Sequence, residues 1–345
     1  LSLVAFFSAV ILTAFRKHDA PVVASSLVVL ILYSVVITLL SGFRVQMSYF
    51  AIAMCMPVGV GIMAYANIRF HRSVTTNVAL VPFAGADEIL RQFELNVPVL
   101  AGPDESIANL DLLLVDPNSH HTEQWSSLLS RCYLSGVEIL PWSRYIEITQ
   151  GRLHISTFDM SHISYTPSQL LYARVKRVLD LIAVLATLPI TLPLALLVAV
   201  YIYCRDGGPV IFVQLRYGFG ESRFRMYKFR TMYKDTVGGA TVAGDNRIIP
   251  GCNLLRKLRL DELPQLYNII IGDMSLIGPR PVATYIAKQA KKVEPKYALR
   301  CLVLPGITGW AQVTSGYADS VDQELEKLSH DLYYIKHLSF DLDVL

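Results

Sequence analysis

The stretch Val178–Tyr203, VLDLIAVLATLPITLPLALLVAVYIY, decides how this chain is built. It is apolar over about 26 residues, and about twenty suffice for a helix to cross the hydrocarbon core of a bilayer. Pro189 and Pro193 fall near its middle, where each removes a backbone hydrogen bond and bends a helix. Arg174, Lys176 and Arg177 precede it and Arg205 follows, so charge does not choose a direction. A straight span would leave the flanking parts of the chain on opposite sides of a membrane. A helix that enters, kinks at the prolines and returns keeps both on one side. The expectation is therefore a re-entrant helix over residues 178–203.

Composition agrees with a membrane protein. Of 345 residues, 53% are hydrophobic and only 17% charged, and the mean hydropathy is +0.41. Part of such a chain must face lipid. The formal net charge of +3 is mild. The five cysteines, Cys55, Cys132, Cys204, Cys252 and Cys301, show no Cys-x-x-Cys pair and no metal-ligand spacing, so they read as reduced thiols and not as a disulfide framework. The chain starts at Leu1 without a methionine and stops at Leu345, and residues are expected to be missing at one or both ends.

Moving toward the N-terminus, a polar linker covers residues 156–171. Before it, residues 73–155 read as a small soluble α/β module. Val78–Val81, Val97–Leu100, Leu112–Val115 and Val137–Leu140 are strand-like, and Ala86–Phe93 and Glu123–Tyr133 are helical in pattern, an alternation that implies a parallel, Rossmann-like sheet. A nucleotide site is the tempting reading, but Phe83-Ala84-Gly85 is too little for a glycine fingerprint. His120-His121 has no third ligand nearby and reads more readily as a turn than as a metal site. The module is taken as regulatory or structural.

Residues 1–72 hold three apolar runs. Leu1–Phe15 is short for a span and could instead be a signal segment, although no basic region precedes it. Pro21–Gly42 and Tyr49–Ala66 are transmembrane candidates, with Pro57, Gly59 and Gly61 tolerated in the latter. Arg16, Lys17, Arg44, Arg69 and Arg72 mark the loops, and alternation under the positive-inside rule puts everything after residue 72 in the cytoplasm.

Beyond Gly207 the texture turns polar and irregular. Pro209–Gln214 is strand-like, and Phe224–Met232 alternates aromatic with basic residues, so a strand would place Lys228 and Arg230 on the face of Phe224 and Met226. Nucleic-acid binding is a weak reading of that alternation in a chain with so little net charge. Val282–Tyr297 reads as a helix whose Lys288, Lys291, Lys292 and Lys296 suit anionic lipid. Val321, Leu325, Leu328, Leu332 and Ile335 recur at helical steps, and that face is expected to pack on its own domain before it lies on a bilayer.

Chemistry concentrates in Leu254–Pro281, LLRKLRLDELPQLYNIIIGDMSLIGPRP. Asp261 and Glu262 are adjacent, with Arg256, Lys257 and Arg259 before them and Arg280 after. Spacing alone leaves two explanations: surface ion pairs at a helix start, or a nucleophile and a metal ligand facing a phosphate held by arginines. Pro264 suits a first helical turn, which would leave both carboxylates exposed at or just outside the helix start. Carboxylates and an anionic substrate repel without a cation, which magnesium would supply through one carboxylate and the phosphate oxygens.

The order of motifs then identifies a resemblance over residues 172–345. Lys176-Arg177-x-x-Asp180, Gly208-Pro209-Val210, Tyr227-Lys228-Phe229-Arg230-Thr231-Met232, Asp261-Glu262-Leu263-Pro264-Gln265-Leu266 with Asn268, Gly272-Asp273-Met274-Ser275, Gly278-Pro279-Arg280-Pro281 and Pro305-Gly306-Ile307-Thr308-Gly309-Trp310 resemble the bacterial monotopic phosphoglycosyl transferases. The upstream membrane runs and soluble module look like the larger members, which begin exopolysaccharide, capsule or O-antigen repeat units. The resemblance implies Asp261 as nucleophile on a UDP-sugar, releasing UMP, with Glu262 holding magnesium. It also implies Lys228, Arg230, Arg256 and Arg280 near the phosphates, and undecaprenyl phosphate as the acceptor of the phosphosugar. It implies a re-entrant helix as well. Where the family breaks that helix at Ser-Pro, this chain has Leu192-Pro193 plus Pro189, so the kink should persist while a hydroxyl-to-backbone bond is lost.

The whole reads as an α+β membrane protein: transmembrane helices over 1–72, the α/β module over 73–155, the linker over 156–171 and a catalytic domain over 172–345. Its place is the bacterial inner membrane, with the catalytic domain on the cytoplasmic face. Its partners are a UDP-sugar, undecaprenyl phosphate and membrane lipid, with no nucleic acid and with surfaces open to a homodimer. Two rivals remain. A transporter predicts charges within its spans, and residues 22–41 and 49–66 carry none. A sensor with a degenerate Asp–Glu pair would not need the intact basic partners.

Overall fold

A capping box sets where the long apolar helix begins, and it does so earlier than apolarity suggests. In the computed structural model, which describes residues 7–8, 11, 21–44, 48–73, 76–107, 109–119, 123–163, 166–234, 245–316 and 321–345, contacts divide the chain into two compact units. One comprises Leu1–Trp142 with Ser339–Leu345, the other Ser143–Leu338. Most of the run Leu1–Phe15, and the pair His120-His121, lie outside the described residues.

In the first unit, helices α1 (Pro21–Gly42) and α2 (Tyr49–Ser73) pack through Val29, Tyr33 and Met63. Asn67 donates from Nδ2 to the Ser25 hydroxyl at 3.2 Å inside that pair, and α2 runs unbroken through Pro57. Both helices are long and apolar enough to cross a membrane. The α/β module follows with β1 (Val78–Leu80), α3 (Ala86–Gln92), β2 (Leu112–Val115), α4 (Glu123–Leu134) and β3 (Glu138–Pro141). The strands are parallel in the order β1-β2-β3, and Ala79, Leu113, Leu128, Cys132 and Val137 form the core beneath them. The expected strand Val97–Leu100 reduces to one parallel bridge, Leu80 to Val99, on the outer edge of β1. A single edge partner supports only a short stretch of ladder.

The second unit starts with α5 (Trp142–Gln150), whose first residue belongs to the first unit, and then the long helix α6 (Pro167–Asp206). Thr166 caps α6: its hydroxyl accepts from Gln169 N at 3.3 Å while Gln169 Oε1 accepts from Thr166 N at 3.0 Å, and Pro167 occupies the first turn. The end of the expected linker is therefore helical, because Thr-Pro-Ser-Gln is polar yet specifies a helix start. The helix is assigned without a break through Pro189 and Pro193. The hydroxyl-to-backbone bonding expected to be lost with Ser-Pro is present at neighbouring residues. Thr187 donates to the Ala183 carbonyl at 2.9 Å, and Thr191 donates to the Thr187 carbonyl at 3.1 Å.

Two stretches of α6 are buried in the same unit. Val184 packs with Phe224, Met226, Ile269 and Met274, whereas Val198 and Ile202 pack with Phe229, Ile249 and Cys252. Between them Ile190, Leu192, Leu196 and Leu197 are exposed. An antiparallel hairpin follows, β4 (Ile211–Tyr217) with β5 (Arg223–Phe229), in a register that sets Phe212 opposite Lys228. Next come α7 (Cys252–Lys257), a 3-10 turn Leu260–Glu262, α8 (Gln265–Ile271) and β6 (Ser275–Ile277), which pairs in parallel with β7 (Gly306–Thr308). The helix expected over Val282–Tyr297 is divided into α9 (Thr284–Val293) and a 3-10 helix Pro295–Leu302. Pro295 causes the division, since it pushes Glu294 into an extended conformation. Helices α10 (Trp310–Thr314) and α11 (Val321–Lys336) complete the unit, and α12 (Phe340–Val344) belongs to the first. Leu328 and Leu332 of α11 are buried against Ala287, Ala290 and Tyr297, so its apolar face packs on its own unit.

Candidate active site

The carboxylate pair is presented by a strained reversal. Helix α7 ends at Lys257, and Arg259 adopts a left-handed conformation at φ 59° and ψ 19°. A residue with a Cβ pays roughly 1–3 kcal/mol for that, which the surrounding contacts must offset. The reversal feeds the turn Leu260–Glu262, after which Pro264 stands immediately before α8.

Contrary to the expected exposure of both carboxylates, Glu262 is buried at 6% exposure. Two arginines make that tolerable. Arg280 donates from Nη2 to Glu262 Oε1 at 2.6 Å, and Arg259 donates from Nη1 to the same oxygen at 3.1 Å. Burial pushes the Glu262 carboxyl upward, but the Arg280 hydrogen bond and the charges of Arg280, Arg259 and Lys228 outweigh it and hold it below the usual range. Its other oxygen, Oε2, takes part in no hydrogen bond among the described residues.

Asp261 lies half-buried and is treated differently. Its Oδ1 is buried and has no hydrogen-bond partner among the described residues. Burial, and then the negative charge of Glu262, push its carboxyl above the usual range, while Lys228 and Arg256 pull it partly back. A buried, unpaired carboxylate oxygen is costly in a finished structure and is the kind of group that awaits a ligand.

Lys228 approaches from β5, sharing the inward face of Phe224 and Met226, with its Nζ 5.8 Å from the centre of the Phe212 ring. Burial, then Arg216 and Arg280, lower its pKa, and Asp261 and Glu262 oppose that. Arg256 reaches the site through its charge on Asp261. Arg230 is the member of the basic set that turns elsewhere. It pairs with Asp206 at 2.7 Å and donates to the Gly207 carbonyl at 2.6 Å, fastening β5 to the end of α6. Pro189 and Pro193 lie in the exposed middle of α6, away from the carboxylates in sequence and in packing.

Two contributors lie outside the set Lys228, Arg230, Arg256 and Arg280 that the resemblance implies. Arg259 was legible as a basic neighbour three residues before Glu262, a spacing that lets side chains meet on a helical turn. Arg216, on β4, carried no such signal. It donates to the Pro281 carbonyl at 3.1 Å, and burial and Arg280 push it down to about 10.

The remaining motif residues hold this arrangement. Asn268 is fully buried: Nδ2 donates to the Arg225 carbonyl at 2.7 Å and Oδ1 accepts from Tyr227 N at 3.1 Å, locking α8 to β5. Arg177 donates to the Ile269 carbonyl at the end of α8 at 2.5 Å, and Ser275 donates its hydroxyl to Asp180 at 2.6 Å. The glycines of Gly278-Pro279-Arg280-Pro281 and Pro305-Gly306-Ile307-Thr308-Gly309 meet backbone to backbone. A Cβ on Gly309 would stand 2.1 Å from the Gly278 oxygen. That contact brings Arg280 under the turn that carries Glu262. Behind it, Arg300 is buried, pairs with Asp331 at 2.7 Å and donates to the Arg280 carbonyl at 3.2 Å.

Among the described residues, no group of three or more His, Cys, Asp or Glu side chains could hold a metal ion by itself. Asp261 Oδ1 and Glu262 Oε2 are nevertheless carboxylate oxygens without a hydrogen-bond partner among the described residues, and oxygen donors of this kind fit a hard cation that takes few protein ligands and fills the rest with phosphate oxygens and water.

The chain matches the bacterial sugar transferase family model over residues 171–345. It is 37% identical over 279 residues to the UDP-N-acetylgalactosamine-undecaprenyl-phosphate N-acetylgalactosaminephosphotransferase of Aeromonas hydrophila, covering 80% of this chain and 66% of that protein. It is 36% identical over 174 residues to the UDP-glucose:undecaprenyl-phosphate glucose-1-phosphate transferase of Escherichia coli (strain K12), covering 49% of this chain and 38% of that one. Its identity to the protein of the same description in Xanthomonas campestris pv. campestris is 39% over 158 residues, 44% of this chain and 33% of that one. The chain thus spans just under two thirds of the length of the first relative and between a third and two fifths of the other two.

Proposed function

The chain belongs to the bacterial sugar transferase family, and from that premise we propose that it transfers a sugar 1-phosphate from a UDP-sugar to undecaprenyl phosphate. The three relatives named above share that donor class and acceptor in their descriptions, with N-acetylgalactosamine as the sugar in one and glucose in the other two. Such a transfer would be the first membrane step of exopolysaccharide, capsule or O-antigen synthesis.

Asp261 carries the reading, because its Oδ1 is buried, without a hydrogen-bond partner among the described residues, and faces the charges of Lys228 and Arg256. In the proposed reaction this oxygen attacks the sugar-bearing phosphorus. A P–O bond forms to Asp261 as the P–O bond to the uridine phosphate breaks, and UMP departs with that electron pair. An oxygen of undecaprenyl phosphate then attacks the same phosphorus, restoring the Asp261 carboxylate and leaving a lipid-linked diphosphosugar. Lys228, Arg256 and Arg280 supply fixed positive charge where negative charge accumulates on the transferred group. Arg230, bonded to Asp206, contributes by placing the strand that bears Lys228. Magnesium, held by Glu262 through its open oxygen and by the diphosphate, would neutralise the charge shared by substrate and carboxylates. Incubation with labelled UDP-sugar and magnesium, without acceptor, should yield labelled protein and UMP. Labelling of Asp261→Asn to the wild-type level would overturn the assignment.

Packing of α6 supports a re-entrant anchor. Val184 and Val198 are both buried in the same unit and stand 14 residues apart, about 21 Å along a helix. A hydrocarbon core is about 30 Å thick, so the exposed stretch between them is too short to cross and return to the same unit as a straight span. The prolines and the exposed Ile190, Leu192, Leu196 and Leu197 then mark the tip, immersed from the cytoplasmic face of the inner membrane. Cysteines placed near Tyr172 and near Gly220 should both resist a membrane-impermeant thiol reagent applied from outside. Labelling of only one would mean a true span. The parallel sheet of the α/β module, with strand connections through helices, supports a small Rossmann-like domain in a structural or regulatory role.

A further inference from the structure

The Lys176-Arg177-x-x-Asp180 motif borders a cavity apart from the carboxylate pair. Arg177 closes the end of α8 and Asp180 receives Ser275, whereas Lys176 lines a cavity of about 430 Å³. That volume lies toward the small end of ligand pockets. Its apolar wall comes from Leu170 and Ala173 of α6, Ile277 of β6, Leu302 and Leu304 beside β7, and Leu338. None of Asp261, Glu262, Lys228, Arg256 or Arg280 borders it.

The polar groups in this wall are largely engaged with the protein. Gln169 donates to the Lys336 carbonyl at 2.7 Å, Arg177 to the Ile269 and Ile270 carbonyls, and the Tyr334 hydroxyl to the Ile277 carbonyl at 3.2 Å. A polar metabolite entering here would give up water for little in return, whereas a hydrocarbon would give up nothing. Along α6 the cavity is followed by Leu179, Ile182 and Leu185, which are 41%, 57% and 59% exposed and lead along the helix toward the exposed tip that begins at Ile190. Lys176 and Arg177 against the single carboxylate of Asp180 leave the lining net positive.

We propose that this cavity is a lipid site that takes the end of one acyl chain of an anionic phospholipid, with Lys176 facing the headgroup phosphate. The proposal rests on the reading of α6 as a membrane-inserted helix. The occupant is not the reacting lipid, whose phosphate must reach Asp261 at a site that shares no residue with this wall. Because Ser275 and Ile277 of β6 also line the cavity, a chain lodged there braces the strand that leads to Arg280.

The test uses the full chain in nanodiscs containing phosphatidylglycerol with a photoreactive group at the end of one acyl chain, and maps crosslinks by mass spectrometry. Crosslinks are expected in peptides covering 170–176 and 302–304, as well as at the exposed tip 190–197. Ala173→Trp, which fills the cavity from α6, should remove the first set and keep the second. Lys176→Gln should lower the first set roughly five-fold, the loss of one lysine's attraction for an anionic headgroup, without changing the signal from a photoreactive phosphatidylcholine. If Ala173→Trp loses its melting transition, Lys176→Gln, at a half-exposed position, decides alone. Crosslinks at 170–176 insensitive to both substitutions, or equal in wild type for the anionic and zwitterionic lipids, overturn the proposal. So does displacement of the cavity signal by equimolar undecaprenyl phosphate, which would make the occupant the acceptor's tail. Failure of the membrane reading would be distinguishable, since it would remove the crosslinks at 190–197 together with those at the cavity.

Discussion

Arg280 and Glu262, 18 residues apart, meet at 2.6 Å between Nη2 and Oε1, and this pair separates the fates of two adjacent carboxylates. Glu262 is charged, clamped and buried. Asp261, next to it, keeps an oxygen that no described residue satisfies with a hydrogen bond. Removing one partner of a buried pair leaves the other charge uncompensated.

Arg280→Ala should therefore do more harm than the loss of a surface charge. We expect kcat/KM for UMP release to fall by about 10²–10³, the scale for removal of one charge-stabilising donor, with Arg280→Lys recovering part of it. Steady-state kinetics at saturating magnesium, alongside circular dichroism to confirm the fold, checks this. Wild-type rates in Arg280→Ala would remove Arg280 from the site.

The opposite pKa shifts of the two carboxylates predict opposite effects on stability. Asp261 has a raised folded-state pKa, so its ionised form opposes folding at neutral pH, and Asp261→Asn should raise the melting temperature while abolishing activity. Glu262 has a depressed folded-state pKa. Its contribution is present above the unfolded value and is lost as pH falls through the folded one, so Glu262→Gln should lower the melting temperature at pH 7. The gap between the variants should narrow as pH is lowered toward the carboxylate range. Thermal melts of both at pH 7 and pH 5 check the signs, and a lower melting point for Asp261→Asn than for wild type would contradict them.

Gly309→Ala tests the backbone contact behind Arg280. The added Cβ would lie 2.1 Å from the Gly278 oxygen, a backbone atom with no side-chain freedom to yield. Overpacking costs about 1–3 kcal/mol where neighbours can adjust, and the loss here should reach or exceed the upper end. The readout is the melting temperature, with activity lost in parallel. In contrast, Gly136→Ala at a turn with open space around it should cost only its left-handed strain.

Much of the fold was legible because it depends on local pattern. Periodicity places α4 within one residue of its observed end, and the step of Leu325, Leu328, Leu332 and Ile335 places α11 and its buried face. Where one local pattern misleads, a second local signal in the same stretch overrides it. The Thr166–Gln169 capping box starts a helix within a polar stretch, and Pro295 interrupts the lysine-rich run Val282–Tyr297. The strand expected at Val97–Leu100 is a different case, because an edge segment pairs as far as its neighbour allows.

The sequence by itself determined the adjacency of Asp261 and Glu262, the basic residues in their vicinity, the apolar length of α6 and the prolines within it. These are properties of order and spacing, and they sufficed to name a family. Only the tertiary structure decided how those residues divide their work. Arg280 and Lys228 come from distant segments to reach the pair, while Arg230, two residues beyond Lys228, leaves the strand for Asp206. Which carboxylate is neutralised, and which oxygen remains open, depends on through-space distance and burial. Neither quantity is a function of position along the chain.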